Sequence, residues 1–529
     1  MSDVVDAVVI GAGHNGLVAA NILADAGWDV VVLEGTPNIG GAVRSAEVTA
    51  PGFTNDLCSA FYPLSACSPA LRGLDLDSYG LKWTHAPAVL AHALPDGRAA
   101  VLSRDLDVTA ASLDEFAPGD GDRWRRAYEE WLPISDALLD ALLTPFPPIR
   151  ATGRLAHRLR AGGLLRLAHR FTLPVRALTD QMFAGEGAKV LFAGLALHTD
   201  MGPDETASGA FGWLLAMLGQ QYGFPVPVGG AQRLTDALVR RLDARGGRVL
   251  TEALVERIVV RDRTALGVLC ADGRRYRARR AVLADVPAPR LYGHLVGAGH
   301  LPPRLLEHLR AFQWDDGTVK VDWALSGRVP WTAPAAGAGT VHVGGDVDGL
   351  ARYAGDVGLG RVPTDPFLLV GQMTTADPTR SPAGTESLWA YTHVPHGAAF
   401  TDKDLDAHVE RIEAVLEEHA PGFGRLVLGR HVYGPGTLEA ENPGLVGGAI
   451  NGGTAAAYQQ LFFRPVPGLG RADTPVDRLY LAGSAAHPGG GVHGAPGANA
   501  ARAALARHRP IVGAAYGAGV RAAHRAIYR

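Results

Sequence analysis

One stretch constrains the fold more than any other: Val4 to Glu34, VVDAVVIGAGHNGLVAANILADAGWDVVVLE. Val5 to Ile10 is a short apolar run rich in β-branched residues, as in a strand buried on both faces of a parallel sheet. Gly11, Gly13 and Gly16 follow with G-x-G-x-x-G spacing. Gly11 permits the tight turn, Gly13 lets backbone approach a pyrophosphate with no Cβ in the way, and Gly16 lets the next helix pack close to the strand. Ala12, His14 and Asn15 belong to the same phosphate-facing turn. Leu17 to Ala26 predicts a helix ended by Gly27. Its N-terminus offers free N–H groups and a partial positive charge to phosphates. Val30 to Leu33 is the second strand, and Glu34 closes it in position to accept a ribose hydroxyl. A glycine triplet alone fits many turns. With strand, helix and carboxylate in place it reads as a dinucleotide site.

The loop after it, Gly35 to Ser45, carries the pair Gly40-Gly41, which lets the chain pass close to a cofactor, and then Ala42 and Arg44. Near the other end, Leu479 to Gly483 is a strand entering a turn, with Ser484 next. His487 to Gly497 is a glycine-rich turn containing Gly491, Val492 and His493, and it opens an Ala-rich helix from Ala498 to Arg507. Such a turn again presents a helix N-terminus. Val296 to His300 and Gly513 to Gly519 mimic nucleotide motifs but lack the strand–helix context, so no second dinucleotide site is expected.

These two ends, with the phytoene-type segments between them, carry a resemblance. Gly11 to Gly16, Glu34 and Gly40-Gly41, in this order, look like the FAD-binding start of the glutathione-reductase-type flavoproteins, which include amine oxidases and phytoene desaturases. Pro51-Gly52-Phe53-Thr54-Asn55-Asp56 resembles the phytoene desaturase branch. So do the hairpin-like Leu94 to Arg98 and Asp114-Glu115-Phe116, read as the head of a helical region. The His487 to Gly497 block resembles the C-terminal flavin motif of the same group, including the branch called pyridine nucleotide-disulfide oxidoreductase domain-containing protein 2. The resemblance implies an α/β fold: a Rossmann-like FAD-binding domain of the glutathione reductase type with an α+β substrate domain inserted in the chain. It implies FAD as cofactor, held by Gly11 to Gly16, Glu34, Gly40 to Ala42, Arg44, Gly483, Ser484 and Gly491 to His493, with Val255 beside the adenine through backbone groups. Related flavoproteins often carry Asp where this chain has Ser484, which puts a carboxylate contact there in doubt.

The cofactor domain is expected at residues 1–104, 225–290 and 425–529, and the substrate domain at 105–224 and 291–424. The 529 residues suffice for both. Residues Asp105 to Leu218 read as mostly helical, broken at Pro145 to Pro148. Ala207 to Leu218 is apolar on nearly all sides, a core helix or tunnel lining. A helix over Ala231 to Arg245, a hairpin turning at Ala271-Asp272-Gly273, strands at Val319–Leu325, Phe367–Gln372 and Leu388–His393, and a helix over Asp402 to His419 complete the reading.

Ala141 to Thr179 has seven arginines and no Asp or Glu. Arg154 and Arg158 repeat at i, i+4, with Arg166 and Arg170 on the next helix. The Arg150 to Arg176 region reads either as a contact for an anionic membrane surface or anionic ligand, or as a solvated face or one docked on acidic neighbours. The three cysteines, Cys58, Cys67 and Cys270, form no C-x-x-C pair. Together with an N-terminus that runs straight into the first strand, they lead us to expect a cytoplasmic protein, peripheral to the membrane if the arginine segment binds lipid. A net charge of −3 gives no reason to expect nucleic acid. No metal-ligand constellation, nucleophile motif or catalytic triad is evident.

Hydride transfer to a flavin needs few protein acids or bases. The leading expectation is therefore an FAD-dependent oxidoreductase that desaturates an apolar small molecule, polyenes and isoprenoids included. The alternatives are amine oxidation, carotenoid ketolation, flavin-dependent isomerisation, and a flavoprotein that mainly binds a lipid or partner. His493, directly before the helix-opening Gly494, is the catalytic candidate, expected to tune the flavin or orient substrate. His487, His198, Asp200 and Tyr458 are weaker ones, and for His198 a buried, satisfied ring is the favoured reading.

Overall fold

The computed structural model describes residues 2–529. Strand Ser2–Ile10 lies at the centre of a seven-stranded sheet. It pairs in parallel with Val30–Leu33 on one side and Arg275–Ala284 on the other. Arg248–Leu250 extends the sheet beyond Val30–Leu33. Arg275–Ala284 is shared: its first half takes the antiparallel hairpin Val255–Arg261/Thr264–Cys270, and its last residues pair in parallel with Leu479–Leu481. Val5, Val8, Val9 and Val30 to Val32 are fully buried, as β-branched residues with helices on one face and a second apolar layer on the other must be. Helices His14–Asp25, Gln232–Ala244 and Ala495–Arg507 cover one face, and the hairpin with Leu291, Tyr292 and Leu305 covers the opposite one.

A second seven-stranded sheet runs in the order Val427–Tyr433, Gly317–Leu325, Glu386–Val394, Leu368–Gln372, Ala338–Val343, Ala88–Ala93, Ala99–Leu102. Period-two alternation separates its faces. Val319, Val321, Trp323 and Val341 pack on helix Asp402–His419, while Trp389 and Leu369 face the helical layer. That layer holds seven helices between Leu106 and Tyr222, the last being Ser208–Tyr222, whose Trp213 and Ala216 to Leu218 are buried.

Three expectations are corrected here. Ala88–Ala93 and Ala99–Leu102, assigned to 1–104, pair with Ala338–Val343 in the second sheet. Val427–Tyr433, assigned to 425–529, pairs with Gly317–Leu325 in that sheet as well. Conversely, residues 291 to 305 pack on the first sheet. The boundaries shift because short strands far apart in sequence read alike until their partners are known. Third, Asp114 ends helix Leu106–Asp114 rather than opening a helix, and its carboxylate caps the N–H groups of Gly119 and Gly121.

Asp56, from the phytoene-type segment, joins the two halves. Its carboxylate meets Arg380 at 2.9 Å, and Arg380 also bonds Asp377 at 3.0 Å, all three side chains being essentially fully buried. Asp56 also accepts from Ala231 N at 2.8 Å and Asp377 from Gly229 N at 2.7 Å, which fixes the crossing back into the first sheet.

Candidate functional site

A continuous cavity of about 530 Å³ runs from the end of Val30–Leu33 to the face of the second sheet. Its near half is the first glycine turn. Gly11 has φ +93°, and a Cβ there would lie 2.6 Å from Asp285 O. A Cβ on Gly16 would lie 2.2 Å from Gly11 O, so the helix starts in contact with the turn. Gly40 and Gly41 take φ of +114° and +58°, and Gly40 N–H donates to Ala12 O at 2.9 Å, laying the second loop along the first. Glu34 lines the cavity and accepts from Ala12 N at 2.9 Å and Thr36 N at 3.0 Å. Val255 and Leu254 form the wall beside it. Arg44 also lines the cavity, donating to Gly41 O at 3.1 Å and pairing with Glu441 at 3.3 Å.

Asp285 is the residue that sequence reasoning missed. It follows strand Arg275–Ala284, accepts from Gly16 N at 2.8 Å, and lines the cavity beneath the glycines. A Cβ on Gly13 would lie 2.8 Å from its Oδ2, and one on Gly483 2.8 Å from its Oδ1. Two glycine requirements thus come from this carboxyl group as well as from a ligand. Burial, reinforced by the charge of Glu34, pushes Asp285 up to about 7. The only sequence signal was an acidic residue closing a parallel strand at Ala284-Asp285-Val286.

The far half is built on the second turn. Gly491 and Val492 line the cavity with Ser484, and Asn15 Nδ2 reaches Ser484 Oγ at 3.4 Å. His493 does not line it, which corrects its assignment as the catalytic candidate. Its Nδ1 accepts from Ala495 N at 3.1 Å and its Nε2 donates to Gly490 O at 3.1 Å, so the ring caps helix Ala495–Arg507 and ties the turn. Burial holds the imidazole neutral, down to about 3. Ser65 Oγ donates to Val492 O, and Ser68 Oγ to His493 O at 2.5 Å. Arg464, buried, donates to the carbonyls of Asn451, Gly453, Thr454 and Ser484, while Asp315 accepts from Asn451 N at 2.7 Å and Gly453 N at 2.8 Å. Together they clamp the Asn451–Thr454 loop, of which Asn451 and Gly452 line the cavity. His487 bonds Thr144 O at 3.0 Å, outside the cavity wall. Tyr458 is 61% exposed and bonds Gln313. Asp200 accepts from Ala455 N at 2.8 Å.

Part of the same cavity is lined by an aromatic wall. Phe61 and Trp389 approach at 6.1 Å between centroids, and Trp389 stacks on Tyr391 at 5.8 Å. Thr340 and His198 complete it; His198, read from the sequence as buried and satisfied, is half-buried, lines the cavity and bonds His342 through Nε2 at 2.8 Å. Behind the wall Lys320 and Asp322 form an ion pair, 3% and 0% exposed. Burial raises Cys58, also in the wall, to about 11, so it remains a thiol.

A dinucleotide fits the near half. Helix His14–Asp25 has no side-chain cap and no acidic residue in its first turn. His14 Nε2 and Asn15 Oδ1 are buried without a protein partner, and the glycines leave a cradle that a Cβ would fill. Among the described residues no group of three or more His, Cys, Asp or Glu side chains could hold a metal ion.

The family model described as flavin containing amine oxidoreductase matches residues 16–505. Over 544 residues the chain is 30% identical to pyridine nucleotide-disulfide oxidoreductase domain-containing protein 2 of Rattus norvegicus, covering 94% of this chain and 92% of that protein. It is 26% identical over 541 residues to the phytoene desaturase (neurosporene-forming) of Cereibacter sphaeroides, covering 96% of each. An oxidoreductase structure from Methanosarcina mazei shares the fold with a TM-score of 0.61 at 17% identity, covering 94% of this chain and 99% of that one.

Proposed function

Because the chain belongs to the flavin containing amine oxidoreductase family, a family of FAD-dependent oxidoreductases, we propose that it dehydrogenates an apolar substrate at carbon, of the polyene or isoprenoid class. The observation that carries this reading is the aromatic wall of Phe61, Trp389 and Tyr391, which lines the same cavity as the second glycine turn. Bound FAD would supply a two-electron oxidant that takes hydride from carbon. Gly11 to Gly16 and the helix behind them would hold the pyrophosphate, Glu34 the ribose, Val255 the adenine side, and the Gly491–Val492 turn the flavin end. The helix N-terminus behind that turn favours negative charge there. The wall would bind hydrocarbon by burial, at roughly 25 cal/mol per Å², and its ring faces would stabilise positive charge developing on an oxidised carbon.

Amine oxidation is a second reading with its own observation. Asp200, Glu205, Asp315 and Asp316 gather beside the Asn451–Thr454 loop, and burial together with their mutual repulsion raises Asp316 to about 8. Such a cluster would draw an ammonium group. Anaerobic bleaching of the bound flavin separates the two. Terpene and polyene hydrocarbons should bleach it and primary amines should not, with bleaching slowed when deuterium replaces hydrogen at the reacting carbon. Bleaching by amines alone would install the second reading. Product formed with no change in flavin redox state would replace both with isomerisation.

A further inference from the structure

Two adjoining clefts, of about 500 and 530 Å³, lie between residues 145–154 and helix Ala495–Arg507. They share no lining residue with the cavity described above. Arg150 and Arg502 line both clefts, Arg154 lines the first and Arg471 the second. The two carboxylates in these walls are already engaged. Asp140 pairs with Arg154, and Asp473 accepts from Tyr516 Oη at 2.8 Å and pairs with Arg471 at 3.4 Å. Among the described residues no carboxylate or carbonyl pairs with Arg150 or Arg502. Two guanidinium groups thus line the same clefts with no anion to neutralise them.

The second cleft also holds an acceptor that lacks a donor. Asn499 lies between Ala498 and Ala500, both 0% exposed, and is itself 2% exposed. Its Nδ2 donates to Leu143 O at 3.3 Å, and its Oδ1 is buried with no partner. Turning the amide over would set two carbonyl oxygens against each other, so the orientation is fixed. A helix interior favours Ala over Asn, and a buried acceptor without a donor loses its hydration. Packing requires neither cost.

We propose that these clefts bind a phosphate group that keeps one O–H, either free phosphate or the phosphate of a lipid headgroup. The planar fork of a guanidinium matches phosphate oxygens, and Arg150 and Arg502 would take them. The remaining O–H would donate to Asn499 Oδ1. A sulfate, which has the same shape and no O–H, leaves that oxygen unpaired. Hydrocarbon has a place beside the site. Ile149, in the wall of the first cleft, is 76% exposed, and Phe462, 44% exposed, packs on Phe146 with ring centroids 5.5 Å apart.

The test is calorimetric titration of the FAD-loaded protein with inorganic phosphate and with sulfate, at constant ionic strength. At about pH 7 inorganic phosphate carries an O–H and sulfate does not. Phosphate should bind at least about tenfold more tightly than sulfate. Asn499→Leu should bring the two together. Arg502→Gln should weaken both at least about tenfold, with flavin content and thermal midpoint near those of the parent. Sedimentation with phosphatidylcholine vesicles containing phosphatidic acid then separates the sources. Capture that inorganic phosphate displaces, and that Arg502→Gln loses, identifies the headgroup. Phosphate binding that leaves vesicle capture unchanged identifies the free ion. No phosphate binding, equal binding of phosphate and sulfate by the parent, or unchanged phosphate binding in Arg502→Gln overturns the proposal.

Discussion

At the residue scale, Asp285 and His493 carry the sharpest consequences. Asp285 lies against the glycines that would cradle the pyrophosphate, and it titrates near 7 in the ligand-free protein. Above that pH a carboxylate faces phosphate. FAD affinity of the apoprotein should therefore fall as pH rises from 6 to 8, with a limiting slope of about one proton, and Asp285→Asn should flatten the dependence. The same raised value means the folded apoprotein holds a proton that the unfolded chain releases near 3.8, so this group's contribution to stability is lost as pH rises through about 7. Calorimetric titration with FAD at several pH values decides the matter, and equal slopes for parent and variant would remove Asp285 from the cofactor site. For His493 the expected outcome is structural. His493→Ala leaves Gly490 O and Ala495 N without their partner, at about 1–3 kcal/mol for each buried group left unpaired. A lowered urea midpoint with loss of flavin should follow. A variant that keeps both and loses only turnover would return His493 to the chemistry.

At the element scale, the helical stretch Ile149–Arg170 is two segments, broken where Arg160 takes φ +55°. Arg154, Arg170 and Arg176 pair with Asp140, Glu130 and Asp204. Among the described residues no carboxylate pairs with Arg150, Arg160 or Arg166, and Ile149 and Leu165 are 76% and 72% exposed. Part of the basic face is thus docked, and part carries no ion pair among the described residues. Liposome binding should require anionic lipid and weaken with salt, because exposed charges are screened within about 8–10 Å. Replacing Arg150, Arg160 and Arg166 together by Gln should abolish it. Sedimentation with neutral and anionic vesicles checks this, and binding that ignores lipid charge counts against it. These elements also show what the sequence could reveal. Strand Val30–Leu33 and helix Asp402–His419 were legible to the residue, and the strand beginning at Leu479 from its first residue, since each has a clear apolar period and a Gly, Pro or polar stop. The first glycine turn was legible because its ligands lie within one local unit. Arg380, Arg464 and Asp315 were not, because an isolated Arg or Asp gives no sign that it will be buried. Arg380 meets Asp56 across 324 positions. The hairpin-like Leu94 to Arg98 was legible, but nothing local assigned its flanking strands to a sheet, and Val427–Tyr433 was not read as a strand at all.

For the whole molecule, a single G-x-G-x-x-G turn with its strand and helix is found among the described residues, so NADPH should bleach the flavin slowly and without saturation. No helix of the described residues is long and apolar enough to cross a membrane. The fold also buries many imidazoles, most of them away from the cavity. Eleven histidines are held below their ordinary value, with burial the leading cause for each. In this group His14, His92, His408 and His487 fall to about 4, and His198 and His493 to about 3. Below about pH 6.5 the unfolded chain protonates these rings, while the six held near 3 to 4 stay neutral in the folded chain. Six carboxyl groups oppose this, since burial raises them and the folded state holds their protons. The histidines outnumber them, so the unfolded state binds more protons between about pH 6.5 and 4, and stability falls as pH falls through that window. The denaturant midpoint of the FAD-loaded protein should rise slightly from pH 8 to 7, as Asp316 takes up a proton, and drop below about 6. His493→Gln should reduce the drop, having no ring to titrate. A midpoint constant down to pH 4.5 would mean that these imidazoles are reached by water and are not held neutral by the fold.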